Sequence, residues 1–185
     1  MQTLLSLASL VMVMAFAMNL YRSTATTEQR LMVGEIATHL VSAADDVMAY
    51  LSTRPFDANA TPTDSNPLPV RSPADLTPPA DFGTSGCTLS YDETRRAYQD
   101  TCQALEDYDG QTFDLPWAGM TFRVEIDVDY VDPAAPTTPV ASPTYAKLVT
   151  VRVTRPGLYF GTPDNEAVVP LSRVFVYPYA TPSDD

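Results

Sequence analysis

The first 21 residues carry no charged side chain and are mostly apolar, and a helical pattern continues beyond them. A helix of roughly 20 residues, at about 1.5 Å rise per residue, is long enough to cross a bilayer. Such a helix cannot stay exposed to water alone, so lipid or other protein must cover it. We therefore expect residues 1–21 to be a retained assembly or membrane segment.

The chain start does not resemble a secretory signal peptide. Signal peptides open with basic residues and end at a small-residue cleavage site, and anchors with a cytoplasmic N-terminus also carry positive charge ahead of the span. Here the first basic residue is Arg22. We expect that a leader has been removed just before Met1 and that the apolar helix remains in the mature chain.

Length and charge suit one acidic domain with an appended helix. The 185 residues include 23 acidic and 11 basic side chains, for a net charge of -12 and a pI near 4.2. This balance argues against nucleic acid or anionic lipid head groups as partners, since both attract basic surfaces. We divide the chain into residues 1–54, the N-terminal helix, and 55–185, a globular extracellular α+β head with proline-rich loops.

An amphipathic helix is predicted from Glu28 to Leu51, because apolar side chains recur there at three- and four-residue steps. Arg54-Pro55 should end it, since the residue before a proline avoids helical angles. The run Ser23–Thr27 between the two helical parts has weak helix propensity. It predicts either a locally unwound turn or a continuous helix with Thr hydroxyls bonded to the preceding turn.

Residues 57–86 lack a hydrophobic period and are rich in Pro, Asp, Ser and Thr, which predicts a long surface loop. It contains Asn59-Ala60-Thr61, a candidate glycosylation sequon at Asn59. Cys87 and Cys102 follow. They are interpreted as a disulfide in an oxidising compartment, the alternative being two reduced, buried thiols. Residues 92–107 are predicted to form a short helix with acidic residues in its first turn.

Strands are predicted where apolar and polar side chains alternate, at residues 122–130 and 149–153. A third apolar stretch, residues 168–177, contains Pro170 and should either lie at a sheet edge or begin late. The proline-rich segment 132–144 should be an exposed, extended excursion. The fold class is therefore α+β: a long N-terminal helix, its apolar half protruding, packed on an antiparallel β-meander of three to four strands.

This layout resembles the type IV pilins and pseudopilins. The segment Ala43–Met48 leading to Arg54-Pro55-Phe56-Asp57 is similar to the end of the long helix in many pilin-like proteins, and Tyr145–Val153 is similar to the family's second sheet strand. The family usually has an aromatic first residue and a glutamate at the fifth mature position, which is thought to neutralise a neighbouring N-terminal amine. Here Met1 and Leu5 occupy those places.

The resemblance implies a structural subunit of an extracellular filament, with copies of itself, the inner membrane before assembly, and a pilus or secretion assembly machinery as partners. Two alternatives remain open: a minor pilin or secretion pseudopilin, and a membrane-anchored extracytoplasmic binding domain that never polymerises. The expected assembly interface consists of Met1, Leu4, Leu5, Leu7, Leu10, Val11, Val13, Met14, Ala17, Leu20, Arg22, Glu28 and Arg30. At least one ion pair between subunits is expected among its basic and acidic side chains.

An enzyme is not expected. His39 is the single histidine and lies in the amphipathic helix, where a packing or surface role is favoured over that of a catalytic base. The alternating Glu125, Asp127 and Asp129 are interpreted as the solvated face of a strand. No Gly-rich phosphate loop or metal-ligand spacing is present in the sequence, so no cofactor is expected.

Overall fold

The structure is a computed structural model that describes the backbone of residues 2–61, 70–159 and 166–177, and the side chains of residues 10–24, 33–61, 70–157 and 166–177. Its fold class is α+β, with an N-terminal helix and antiparallel sheets, and this confirms the predicted class. The chain divides into two compact units, Met1–Thr38 and His39–Asp185.

Helix α1 is assigned to Gln2–Leu51. Its backbone is helical through the Ser/Thr run, where the Thr24 hydroxyl donates to the Leu20 carbonyl at 2.9 Å. This contact fits the continuous interpretation of that run. The chain leaves the helix after Leu51, ahead of Pro55, as the steric restriction before proline predicts.

The described residues after α1 contain seven strands: β1 Leu89–Asp92, β2 Ala97–Asp100, β3 Thr112–Trp117, β4 Met120–Asp132, β5 Ala135–Pro139, β6 Ala146–Tyr159 and β7 Glu166–Val176. The larger sheet has the order β3-β4-β6-β7, with β5 paired to β4, and β1 and β2 form a separate hairpin. The prediction of three to four strands was therefore too low. The strand β5 is fully exposed and rich in proline, so it shows no apolar alternation that could have predicted it.

The predicted half-buried strands are confirmed in β4 and β6. The inward side chains of β4 are at most 2% exposed: Phe122, Val124, Ile126, Val128 and Tyr130. They face the same side as the valines of β6, with Ile126 opposite Val151 in the register. The strand β7 covers the third predicted stretch and lies at the end of the sheet order, as expected.

The predicted helix over residues 92–107 is wrong. Residues 89–100 form the β1–β2 hairpin, and a 3₁₀ turn covers Leu105–Tyr108. The side chain of Asp92 accepts from the N–H groups of Thr94 and Arg95 at 2.9 and 3.1 Å. Side chains that bond to nearby backbone in this way favour turns over helices, so local turn chemistry prevailed over helix propensity here.

The core of the unit His39–Asp185 is formed by the inner face of the sheet together with one stripe of α1. That stripe is fully buried and comprises Leu40, Ala43, Ala44, Val47, Met48 and Leu51. Its three- and four-residue spacing is the one that predicted the amphipathic helix. The chain that follows α1 leads from the buried Leu51 to Asp57, which is also fully buried.

Candidate functional site

One candidate site is the apolar helix surface, defined as residues 10–21 of α1. Every side chain from residue 10 to residue 24 is exposed. The large apolar ones are 54–78% exposed: Leu10, Val11, Met12, Val13, Met14, Phe16, Met18, Leu20 and Tyr21. Monomeric soluble proteins rarely expose apolar side chains contiguously on this scale, and such surfaces commonly mark interaction sites.

Seven of the predicted assembly residues belong to this exposed part of α1 or its immediate continuation: Leu10, Val11, Val13, Met14, Ala17, Leu20 and Arg22. The others lie outside the residues whose side chains are described: Met1, Leu4, Leu5, Leu7, Glu28 and Arg30. Among the described residues, no helix combines the length and the apolar character needed to cross a membrane.

The predicted disulfide is present between Cys87 and Cys102. Cys87 precedes β1 and Cys102 follows β2, so the bond joins the two open ends of the hairpin. The sequon residue Asn59 is exposed, and its Nδ2 donates to the Thr77 hydroxyl at 3.3 Å. Glycosylation at Asn59 stays a prediction.

A second candidate site is the buried ion cluster, defined as Asp57, Glu106 and Lys147. Lys147 Nζ lies 2.9 Å from Asp57 Oδ2, 2.8 Å from Glu106 Oε2 and 2.8 Å from the Phe56 carbonyl oxygen. Lys147 and Asp57 are fully buried, and Glu106 is 2% exposed. All three ammonium hydrogens therefore have a protein acceptor, away from bulk water.

Both carboxylates of the cluster are held by further donors. Asp57 Oδ1 accepts from the Asn59 N–H at 3.0 Å and lies 3.0 Å from the Thr77 hydroxyl. The Thr77 N–H lies 3.2 Å from Asp57 Oδ2 and 3.3 Å from Oδ1. Glu106 Oε1 accepts from the Ala58 N–H at 2.7 Å. These contacts fix the orientation of each carboxylate toward the lysine.

Aromatic rings enclose the lysine. Lys147 Nζ lies 4.7 Å from the ring centre of Phe56, 5.0 Å from that of Phe82 and 5.1 Å from that of Tyr130. Tyr130 Oη also lies 3.0 Å from Asp57 Oδ2. Burial, followed by the negative charge of Asp57, raises the pKa of Tyr130 above its usual value, so its hydroxyl stays a hydrogen-bond donor.

The sequence analysis missed this cluster, although one signal for it was present. Lys147 is the only lysine in the chain. It lies an even number of residues before Val149, Val151 and Val153 on β6, and these valines are buried. Alternation places it on the inner face of the sheet, where a charged side chain requires a partner. Nothing local in the sequence indicates that its partners are residues 57 and 106.

A second polar network fixes the end of α1 to the hairpin. Asp100 accepts from the Tyr50 hydroxyl at 2.5 Å and pairs with the Arg54 guanidinium at 3.0 Å. The Tyr108 hydroxyl also donates to Asp100. Burial and the hydrogen bond to Asp100 raise the pKa of Tyr108. These bonds hold the segment that leads from α1 into Asp57.

An open cavity of about 1010 Å³ lies on the same unit, lined in part by His39, Asp46, Tyr91 and Trp117. Asp46 is bonded to the Tyr98 hydroxyl at 2.7 Å. Among the described residues, no group of three or more His, Cys, Asp or Glu side chains could hold a metal ion.

Comparison with known proteins adds no relative. No protein-family model, curated protein or solved structure matches this chain.

Proposed function

We propose that the chain is a structural subunit of an extracellular, type IV pilus-like filament, assembled through bundled N-terminal helices after removal of a leader. The observation that supports this most directly is the apolar helix surface. It displays nine large apolar side chains that are each more than half exposed. A second copy of the same helix offers a surface of matching chemistry to cover them.

The energetics favour such a bundle. Burial of apolar surface stabilises by roughly 25 cal/mol per Å², so a helix that is apolar on all sides gains from contact with several neighbours. The small residues Ala8, Ser9, Ala15 and Ala17 allow helices to approach closely. A heterologous contact of this kind, repeated by one rotation and translation, generates an open helical polymer.

In this arrangement the apolar residues 1–21 lie in the filament core, and the acidic α+β head faces solvent. Before assembly the same helix would reside in the inner membrane. The family's usual glutamate is missing at position 5, where this chain has Leu5. If no other group near the buried amine takes over its role, the subunit would be a minor or tip-located one, or a pseudopilin. The sequence departure at Leu5 is the observation that favours this second candidate.

The test is a comparison of assembly in wild-type and variant chains. Leu10→Asp places a charge on a side chain that is 68% exposed, within the proposed interface. We expect it to abolish fibres, because a buried unpaired carboxylate is strongly unfavourable. Val176→Asp is the matched control, since Val176 is 62% exposed but lies on β7, far along the chain. Fibres are counted by negative-stain microscopy of sheared cell-surface material.

Two results would contradict the proposal. One is an unchanged fibre yield from Leu10→Asp. The other is wild-type protein that stays as dispersed single molecules in detergent-free buffer with its apolar helix intact. A small number of fibres that form only when a separate major subunit is present would instead support the minor-pilin candidate.

A further inference from the structure

The buried ion cluster contains more negative than positive charge. Lys147 faces two carboxylates, Asp57 and Glu106, so the site has one excess negative charge when all three groups are ionised. An uncompensated charge is unfavourable in a buried site. With one proton bound to either carboxylate, the cluster is neutral and holds an ammonium, a carboxylate and a carboxylic acid side by side. A simple ion pair would need only one of the two carboxylates.

From this juxtaposition we propose that Lys147 Nζ and Asp57 Cγ form an intramolecular amide bond, with Glu106 as the catalytic acid and base. Amine and carboxyl group are already at hydrogen-bond distance, 2.9 Å, and Glu106 contacts the same nitrogen at 2.8 Å. The fold thus supplies the proximity and orientation that make such a reaction effectively unimolecular. The structure describes the reactants of this step.

The proposed step balances without any other reactant. Glu106 accepts a proton from the Lys147 ammonium, and the nitrogen lone pair attacks Cγ of the neutral, protonated Asp57. A C–N bond forms and Oδ1 takes up negative charge. Glu106 then gives its proton to the Oδ2 hydroxyl and takes one from the nitrogen. The C–O bond breaks, one water leaves and no atom is oxidised or reduced.

The hydrogen bonds around Asp57 suit this chemistry. The Asn59 N–H and the Thr77 hydroxyl each lie 3.0 Å from Oδ1, the oxygen that would carry the developing charge. Preorganised donors at such a position are a principal source of transition-state stabilisation. The Tyr130 hydroxyl is 3.0 Å from Oδ2, the oxygen that would leave. The Thr77 hydroxyl is also 3.2 Å from Glu106 Oε1 and the Tyr130 hydroxyl 3.0 Å from the Thr77 carbonyl oxygen, so each hydroxyl shares its hydrogen between two acceptors.

The surroundings also favour the product. The rings of Phe56, Phe82 and Tyr130 border the nitrogen, and both reacting side chains are fully buried. Exclusion of water from the site disfavours hydrolysis of the amide once it has formed. The step starts with Lys147 and Glu106 charged and ends with a neutral amide and a neutral Glu106, so it also removes the desolvation penalty of two buried charges.

This inference does not depend on the proposed filament. It concerns only the unit His39–Asp185, and the amide would form in a monomer as readily as in a polymer.

The chain offers a direct test, because Met120 is the only methionine between Asp57 and Lys147. The full chain is purified folded, reduced, denatured and cleaved with cyanogen bromide. We expect the fragments 49–120 and 121–185 to stay joined in one species, lighter by one water than the sum of their masses. Tandem mass spectrometry should then identify a branched peptide that links residues 57 and 147.

Glu106→Gln is the matched variant, since it keeps the size and hydrogen-bonding shape of the side chain but removes the base. It should fold with its disulfide intact and release two separate fragments, each at full mass. Lys147→Leu removes the amine without adding a cyanogen bromide site, so it should also release the two separate fragments. If either variant fails to fold, the branched peptide of the wild-type chain decides the question by itself. Separate full-mass fragments from folded wild-type protein, or a water loss that maps to other residues, would overturn the proposal.

Discussion

Gly83 occupies a position that no other residue can fill without displacing the backbone. Its φ is +64°, and an added Cβ would lie 2.3 Å from the carbonyl oxygen of Asp109. Its N–H donates to the Glu106 carbonyl at 3.0 Å, and its neighbour Phe82 contributes a ring beside Lys147. Gly83 therefore helps to position both Glu106 of the buried ion cluster and the Phe82 ring beside it.

We predict that Gly83→Ala lowers the free energy of unfolding by about 2–4 kcal/mol, because the new methyl group collides with backbone in a left-handed conformation. Gly86→Ala is the matched control. Gly86 has a φ of +66° but no atom within 4 Å of an added Cβ, so only about 1–2 kcal/mol of conformational strain is expected. Urea unfolding measures both, and equal losses would refute the steric explanation.

A second residue-scale prediction concerns alkaline pH. Burial and the hydrogen bond to Asp46 raise the pKa of Tyr98 above that of an unfolded tyrosine, near 10. The folded state therefore keeps its proton at a pH where the unfolded chain releases it. Stability is fully present below about pH 10 and falls as the pH rises further.

Tyr98→Phe should lose about 1 kcal/mol at neutral pH, since the bond to Asp46 is removed. Above about pH 10 its stability should fall less steeply than that of the wild type, because one titrating group is gone. Urea unfolding at a series of alkaline pH values measures this slope. An identical slope in both proteins would show that Tyr98 makes no such contribution.

At the scale of elements, the β1–β2 hairpin depends on its disulfide. A hairpin of two four-residue strands is marginal by itself, and Cys87–Cys102 closes it over a sequence separation of 15 residues. The polar network at Asp100 then holds the hairpin against the end of α1. The disulfide thus supports the segment that carries Asp57.

The double variant Cys87→Ser/Cys102→Ser should lose about 3 kcal/mol of stability, the value expected for a loop of this length. Wild-type protein in reductant should lose a similar amount, and reductant should leave the double variant unchanged. Thermal or urea unfolding under both conditions measures these differences. A reductant effect on the double variant would mean that the loss has another source.

The elements differ in how well the sequence predicted them, for physical reasons. In β4, alternation is determined by burial of one face, so the pattern of Phe122, Val124 and Ile126 identified the strand. Over residues 92–107, acidic and helix-forming residues indicated a helix. The turn formed by Asp92 and the positive φ of Arg96, 52°, were not visible in the composition. The strand β5 pairs with β4 and is exposed along its length, so its sequence carries no alternating apolar pattern.

For the whole molecule, the buried ion cluster brings together three segments that are distant in sequence. Lys147 lies 90 residues from Asp57 and 41 from Glu106. Parity along β6 indicates that Lys147 points inward, but only the complete fold specifies its partners. By contrast, the apolar character of residues 1–21 is a local property, so the expectation of an assembly segment could be formed from sequence alone. The filament itself remains a proposal.

The burial of Lys147 has a practical consequence for handling this protein. With its one lysine sealed in the interior, the folded chain presents no side-chain amine to aldehyde fixatives, succinimidyl dyes or amine-coupled sensor chips. Carboxyl-directed chemistry offers an alternative for imaging and immobilisation, since the chain has 23 acidic residues.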